Sequence, residues 1–313
     1  MAVLAETGML TVTAGWLWEW AVPSGLLIAA GAVLLPGTIR FLQEHGLSET
    51  NYRGLLVPTA GGVLLWMLLL LWYLYGVCIL PSSWPETDRW MLAVTMVGFA
   101  GLLDDLLGER EVKGLRNHWK ALIERRRITT GFIKAGTTLV AGILILLPVT
   151  ETLRSGTGTT FTADSRTLWF LPFKLLLILL ATNAVNLLDV RPGRALKGFF
   201  VSLLLLVWLA SWKEGGTEAG WNVWRLLVPL TIGAGMLAGA DLRGKAMLGD
   251  TGANILGFTL GVGFSLLTPV SVQAAALALL AGLHVITWRR SLSVIIERHA
   301  LLRWLDQVGC GRS

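Results

Sequence analysis

Charge is what this chain has least of. Asp, Glu, Lys and Arg make up 15% of its 313 residues, and 54% are hydrophobic. Soluble domains carry about 25% charged residues, so a water-soluble enzyme is excluded. Cysteine is nearly absent, with only Cys78 and Cys310. The span pattern below puts these two on opposite faces of a membrane, which excludes a disulfide framework. Long linkers, low-complexity segments and internal repeats are all missing. The first ten residues hold Glu6 and no basic residue, so they do not read as a cleaved secretory signal. The net charge of +6 does not call for a nucleic-acid partner, because a positive-inside bias accounts for it.

What remains is apolar sequence in blocks. Runs near 17–37, 57–79, 90–107, 131–149, 167–185, 198–212, 224–240, 253–268 and 270–288 predict about nine transmembrane helices, since about 18–20 apolar residues cross a bilayer. The expected fold class is an all-α polytopic membrane protein, forming one domain over 1–313. Of the 26 Lys and Arg residues, 20 fall on one set of connections, from Arg40 and the cluster 110–134 to Arg312. The other six include Arg89, Arg154 and Arg225. The rich side is therefore expected to be cytoplasmic, at the plasma membrane, with the N-terminus outside and the C-terminus inside. Tryptophans such as Trp16, Trp18, Trp90, Trp169, Trp212 and Trp221 read as an outer interfacial belt. Residues 289–313 read as a cytoplasmic amphipathic tail.

The polar residues on the basic side carry the chemistry. The third run stops on Asp104-Asp105. A pair of acids is too costly to bury in hydrocarbon, and at a boundary it suits a divalent cation or a proton acceptor. Leu115, Trp119, Leu122 and Ile123 then recur at helical spacing among Arg116, Lys120 and Arg125–Arg127, which predicts a helix on the inner leaflet. Lys134 sits just inside the next run, where it either snorkels to the interface or faces a phosphate. Asn183 and Asn186 are three apart and share a helix face, and Asp189 continues it if the helix persists. Gly249-Asp250-Thr251-Gly252 opens the eighth run. Its backbone N–H groups suit an anion, and Asp250 suits a metal, although Asp or Thr also simply cap helices. Gly61-Gly62 permits close approach of a backbone or a ligand. His284, His299 and His118 read first as structural.

In this order, and all at cytoplasmic helix ends, Asp104-Asp105, Asn183-x-x-Asn186-x-x-Asp189 and Gly249-Asp250-Thr251-Gly252 resemble the polyprenyl-phosphate N-acetylhexosamine-1-phosphate transferase superfamily. The resemblance covers about residues 50–265. It implies transfer of N-acetylhexosamine-1-phosphate from a UDP-sugar to a membrane polyprenyl phosphate, with UMP released and Mg²⁺ required, at the start of a cell-envelope glycan. It implies Asp250 as principal metal ligand with Asp105 in support. Asp104 would orient or deprotonate the lipid phosphate. Lys120 and Lys134 would neutralise phosphate charge. Asn183, Asn186 and Asp189, with Gly249 and Gly252, would line the nucleotide-sugar cleft. A homodimer is compatible with this pattern.

The sequence departs from the family where an Asp-Gly pair usually follows the asparagines. Here the run is Asp189-Val190-Arg191-Pro192-Gly193. A His-rich cytoplasmic motif and a tenth span, both features of the muramoyl branch, are not found. The expected donor is therefore a simple UDP-N-acetylhexosamine, with the phospho-N-acetylmuramoyl-pentapeptide reaction as the alternative. A transporter or inert scaffold fits less well. Transporters place ionisable residues near the midplane and often show related halves, whereas here nearly all charges lie at helix ends, Lys174 being the exception that snorkelling accounts for.

Overall fold

The computed structural model describes residues 16–51, 54–80, 87–108, 129–147, 165–212, 218–289 and 291–310. The expected surface helix around Leu115 and Trp119, with Lys120, lies outside the described residues.

Every apolar run becomes a helix. After a π-helical turn at Leu17–Ala21 come α1 (Val22–Glu44), α2 (Gly62–Ile79), α3 (Thr87–Leu107), α4 (Thr130–Leu146), α5 (Ser165–Leu188), α6 (Arg194–Ser211), α7 (Glu218–Leu242), α8 (Gly249–Leu267) and α9 (Val270–Arg289). Two short helices follow, α10 (Leu292–Arg298) and α11 (Ala300–Gln307). Among the described residues, seven helices are long and apolar enough to cross a membrane. The other two of the nine expected spans are α4, with 17 residues, and α8, whose apolar character is diluted by glycines, Asp250 and Asn254. The outward faces suit hydrocarbon: Val33, Leu204 and Leu279 are 76%, 69% and 76% exposed. An aqueous surface seldom tolerates so much continuous apolar area.

One departure from an all-helical chain sits between α1 and α2. Strands β1 (Ser48–Thr50) and β2 (Leu56–Pro58) pair antiparallel, with Glu49 opposite Val57. Asn51 makes the turn. Its side-chain oxygen accepts from the Leu55 N–H at 3.1 Å, and Gly54 takes the left-handed conformation at φ +78.

Helix α8 is the hub. Sixteen of its nineteen residues are buried, and it packs on α5, α3, α6, α7 and α2. Small residues make this possible. A Cβ on Gly257 would come 2.7 Å from Thr182 Cα, and one on Gly261 would come 2.8 Å from Ile178 Cα. This GxxxG spacing brings α8 against the α5 backbone, the usual route to tight helix pairs in a membrane. Gly62 and Gly252 meet at the start of α2 in the same way: a Cβ on Gly62 would lie 2.0 Å from the Gly252 nitrogen. The close approach expected of Gly61-Gly62 is thus to a backbone. Their N–H groups donate to the Met247 and Leu248 carbonyls at 3.0 and 2.8 Å.

Two details correct the boundary picture. Trp90 is not part of an interfacial belt but is 1% exposed. It points into the main core because α3 packs on α4 and α8. Arg225 is tolerated near the start of α7 because it pairs with Glu19 at 2.8 Å and with Asn222 at 3.0 Å.

Candidate active site

The three motifs meet at the N-terminal end of α8. That end carries unpaired N–H groups and the positive pole of the helix dipole. Asp105, from the last turn of α3, supplies the matching anion. Its Oδ1 accepts from the Asp250 N–H at 2.9 Å, and its Oδ2 accepts from the Thr251 N–H at 2.9 Å and the Thr251 hydroxyl at 2.5 Å. A carboxylate from one helix therefore caps another. A Cβ on Gly101, one turn earlier, would lie 2.5 Å from the Asp250 carbonyl oxygen, so only glycine lets α3 come this close.

The neighbouring acid faces the other way. Asp104 Oδ2 accepts from Lys134 Nζ at 2.6 Å, and the same ammonium lies 3.3 Å from Asp250 Oδ2. Lys134, one turn into α4, thus bridges the α3 and α8 acids. Of the two sequence readings for Lys134, snorkelling is set aside: the side chain turns into the cleft and is 15% exposed.

Helix α5 ends at Leu188, so Asp189 stands in the turn beyond it. There it accepts from the Gly249 N–H and lies among Asp241, Asp250 and Asp105. Burial, and then the negative charge of those three neighbours, pushes the Asp189 carboxyl well above its ordinary range. Asp241 joins this cluster, and the sequence reading gave it no role. It is 1% exposed and accepts from the Gly193 N–H at 2.8 Å and from the Leu248 N–H. It ties the turn after α5 to the segment leading into Gly249-Asp250. An acid closing the apolar run that follows Arg225 in α7 was the signal for it.

The two asparagines separate. Asn183 is exposed and its amide lies 2.8 Å from His284 Nε2 on α9. His284 Nδ1 sits 2.7 Å from the Leu280 carbonyl, so Nδ1–H donates there and Nε2 is left to accept from Asn183. Asn186, one turn further along α5, has its side-chain oxygen buried without a hydrogen-bond partner among the described residues. An acceptor left in that state costs free energy unless a ligand or water fills it. Gly249 and Gly252 serve the packing. Gly249 is left-handed at φ +74, and a Cβ there would lie 2.5 Å from the Ala60 nitrogen.

The tail reaches the same region. Arg194, 4% exposed, holds Asp306 through Nε and Nη2 at 2.5 and 2.9 Å and donates to Ser293 at 3.0 Å. Lys197 donates to the Leu305 and Asp306 carbonyls, and Arg191 pairs with Glu297. Helices α10 and α11 are thereby fastened to the turn that carries Asp189.

Residues 89–268, which include all the clustered acids, match the family model described as glycosyl transferase family 4. The chain belongs to that family. Among curated family relatives, the phospho-N-acetylmuramoyl-pentapeptide-transferase of Desulforapulum autotrophicum is 27% identical over 277 residues, covering 82% of this chain and 70% of that protein. The enzyme of the same name from Thermotoga petrophila is 29% identical, covering 69% of this chain and 61% of its own length. The one from Kocuria rhizophila is 26% identical, covering 87% and 81%.

The donor set bears on whether this member of glycosyl transferase family 4 can hold a cation. Asp104, Asp105, Asp189, Asp241 and Asp250 converge, with Lys134 directly between two of them, so negative charge is in excess. Among the described residues no three acid, His or Cys side chains form a complete metal cage. That suits a hard cation that takes one or two carboxylates and draws its other ligands from phosphate and water. Asp250, 29% exposed, is the open acid. Asp105 already accepts three hydrogen bonds.

Proposed function

We propose that the chain transfers a phospho-N-acetylhexosamine unit from a UDP-sugar to a membrane polyprenyl phosphate, and that the donor is the muramoyl-pentapeptide nucleotide. The names of the curated relatives support that donor over the simple UDP-N-acetylhexosamine expected from the sequence. The simple sugar stands as the second reading, favoured by the lack of a His-rich cytoplasmic run. The observation that carries the reaction class is the Asp104–Lys134–Asp250 bridge at a capped helix start, inside the matched family region.

A lipid-phosphate oxygen forms a bond to the β-phosphorus of the donor. The bond from that phosphorus to the bridging oxygen breaks, and UMP leaves with the electron pair. Two anions must approach each other, so catalysis is mostly positioning and charge neutralisation. Mg²⁺, the cation that the family resemblance implies, supplies charge neutralisation when bound at Asp250. Asp105 fixes the Asp250 backbone rather than competing for the cation. Lys134 offers an ammonium to phosphate. Asp104 must first exchange that ammonium before it can orient or deprotonate the lipid phosphate. Asn186 and Asp189 offer a buried acceptor and a carboxyl to the nucleotide sugar, and Asn183 reaches it with His284 behind. The site faces the cytoplasm, as the charge bias predicts.

The test is UMP release by purified protein given polyprenyl phosphate, Mg²⁺ and each donor in turn. Release with the muramoyl-pentapeptide nucleotide is expected. Release with UDP-N-acetylglucosamine alone would move the assignment to the second reading. Release with neither, in protein that binds neither donor, would remove the transferase proposal.

A further inference from the structure

A second polar and apolar junction lies away from the acids, between α1, the β1–β2 hairpin and α7. A groove of about 530 Å³ opens there. Its walls are Leu35, Ile39, Val57 and Met236, and its rim carries Arg243 and Lys245. It shares no residue with the acid cluster, from which the Pro58 to Met247 backbone pairing separates it, at 2.8 Å.

The groove has a direction. Helices α1 and α7 are both long and apolar enough to span, and Arg243 follows the last residue of α7. The two cations therefore stand at headgroup level. Met236 lies seven residues back, about 10 Å deeper at 1.5 Å per residue. Glycine keeps the wall low: a Cβ on Gly239 would meet only the end of the Arg243 side chain, at 3.3 Å. Pro36 adds no N–H to the apolar side. Of the acids on these elements, Glu44, Glu49 and Asp241 do not line the groove, Asp241 being turned to the Gly193 N–H, and no ion pair joins Arg243 or Lys245 to an acid among the described residues.

We propose that this groove holds one bilayer phospholipid with an anionic headgroup, the phosphate at Arg243 and Lys245 and an acyl chain along Leu35, Ile39 and Met236. Charge complementarity and depth select that occupant. A zwitterionic lipid sets its own ammonium beside the phosphate, against Arg243 and Lys245, and a soluble anion leaves the apolar wall unmatched. The site does not depend on the transferase reading. It bears on that reading through position, since Met247 and Leu248 join Lys245 to Gly249-Asp250 and are fixed by Pro58, Gly61 and Gly62.

The experiment is native mass spectrometry of the full chain released from nanodiscs of phosphatidylcholine with or without phosphatidylglycerol. One retained phosphatidylglycerol per chain is expected, with phosphatidylcholine retained at least tenfold less. Each basic residue at the membrane surface strengthens anionic-lipid binding, so R243A/K245A should lower retention about tenfold or more. Gly239→Leu, which fills the groove and keeps both charges, should lower it as well. R298A/R303A, which removes two cations outside the groove, should leave retention unchanged. Equal retention of the two lipids, or full retention by both groove variants, would overturn the proposal. So would displacement of the phospholipid by a second copy of the chain or by polyprenyl phosphate.

Discussion

Asp105 and Asp250 are in direct contact, yet their surroundings divide their roles. Asp105 spends its oxygens on the Asp250 and Thr251 N–H groups and the Thr251 hydroxyl. Asp250 faces Lys134 and the open cleft. Asp250→Asn keeps shape and removes charge where phosphates must be neutralised, so UMP release should fall on the order of 10²–10³ with little change in melting temperature. Asp105→Ala removes a cap, and capping groups contribute about 0.5–2 kcal/mol. That variant should lose both rate and melting temperature. Calorimetry beside the UMP assay reads both. Equal thermal losses in the two variants would remove the division of roles.

At the scale of elements, the tail helices are held by the buried Arg194 guanidinium together with Lys197 and Arg191. Around Asp306 burial acts to raise the carboxyl, but the hydrogen bonds and charge of Arg194, with Lys197 and Arg191, outweigh it and hold Asp306 below its ordinary range. A depressed carboxyl pKa stabilises the docked state above the unfolded value, about 3.9 for Asp, and that contribution is lost as pH falls through the folded value. The tail should therefore stay docked at neutral pH and loosen first on acidification below about 4. Hydrogen exchange over 292–307 measures it, and Asp306→Asn should show the loosened pattern already at pH 7. Unchanged protection in that variant would mean that α10 and α11 are held by other contacts. Leu301, Trp304, Leu305 and Val308 form an exposed apolar stripe on α11 and just beyond it, so release need not expose more apolar surface.

For the whole molecule, the bundle is organised about a buried helix that is itself poor in apolar residues. The acids of α3, α7, α8 and the turn after α5 and the lysine of α4 gather at one end of it, and the Arg225–Glu19 pair links α7 to the turn before α1. The basic connections lie at the acid-bearing end, including Arg191, Arg194, Lys197, Arg243 and Lys245. The proposed orientation, which follows the positive-inside rule, has that end and the C-terminus in the cytoplasm. A reporter active only inside the cell, fused after Ser313, should work, and one active only outside should not. The reverse result would invert the proposed orientation and move the site to the other face.

Hydrophobic runs alone determined that this chain is helical and membrane-embedded and where its helices fall, because each helix satisfies its backbone internally and hydrocarbon demands that it do so. The same local logic marked Asp104, Asp105, Asn183, Asn186, Asp189 and Asp250, since polar groups at the ends of apolar runs stand out. Partners were another matter. That Asp105 caps α8, that Lys134 bridges Asp104 and Asp250, and that Asp241 reaches Gly193 depend on contacts between residues 30 to 146 positions apart. No periodicity encodes such contacts. Trp90 was misread for the same reason: a tryptophan near a boundary looks alike whether its helix face meets lipid or another helix. The packing of α3 against α4 and α8 through small residues such as Gly101 settled which face that was.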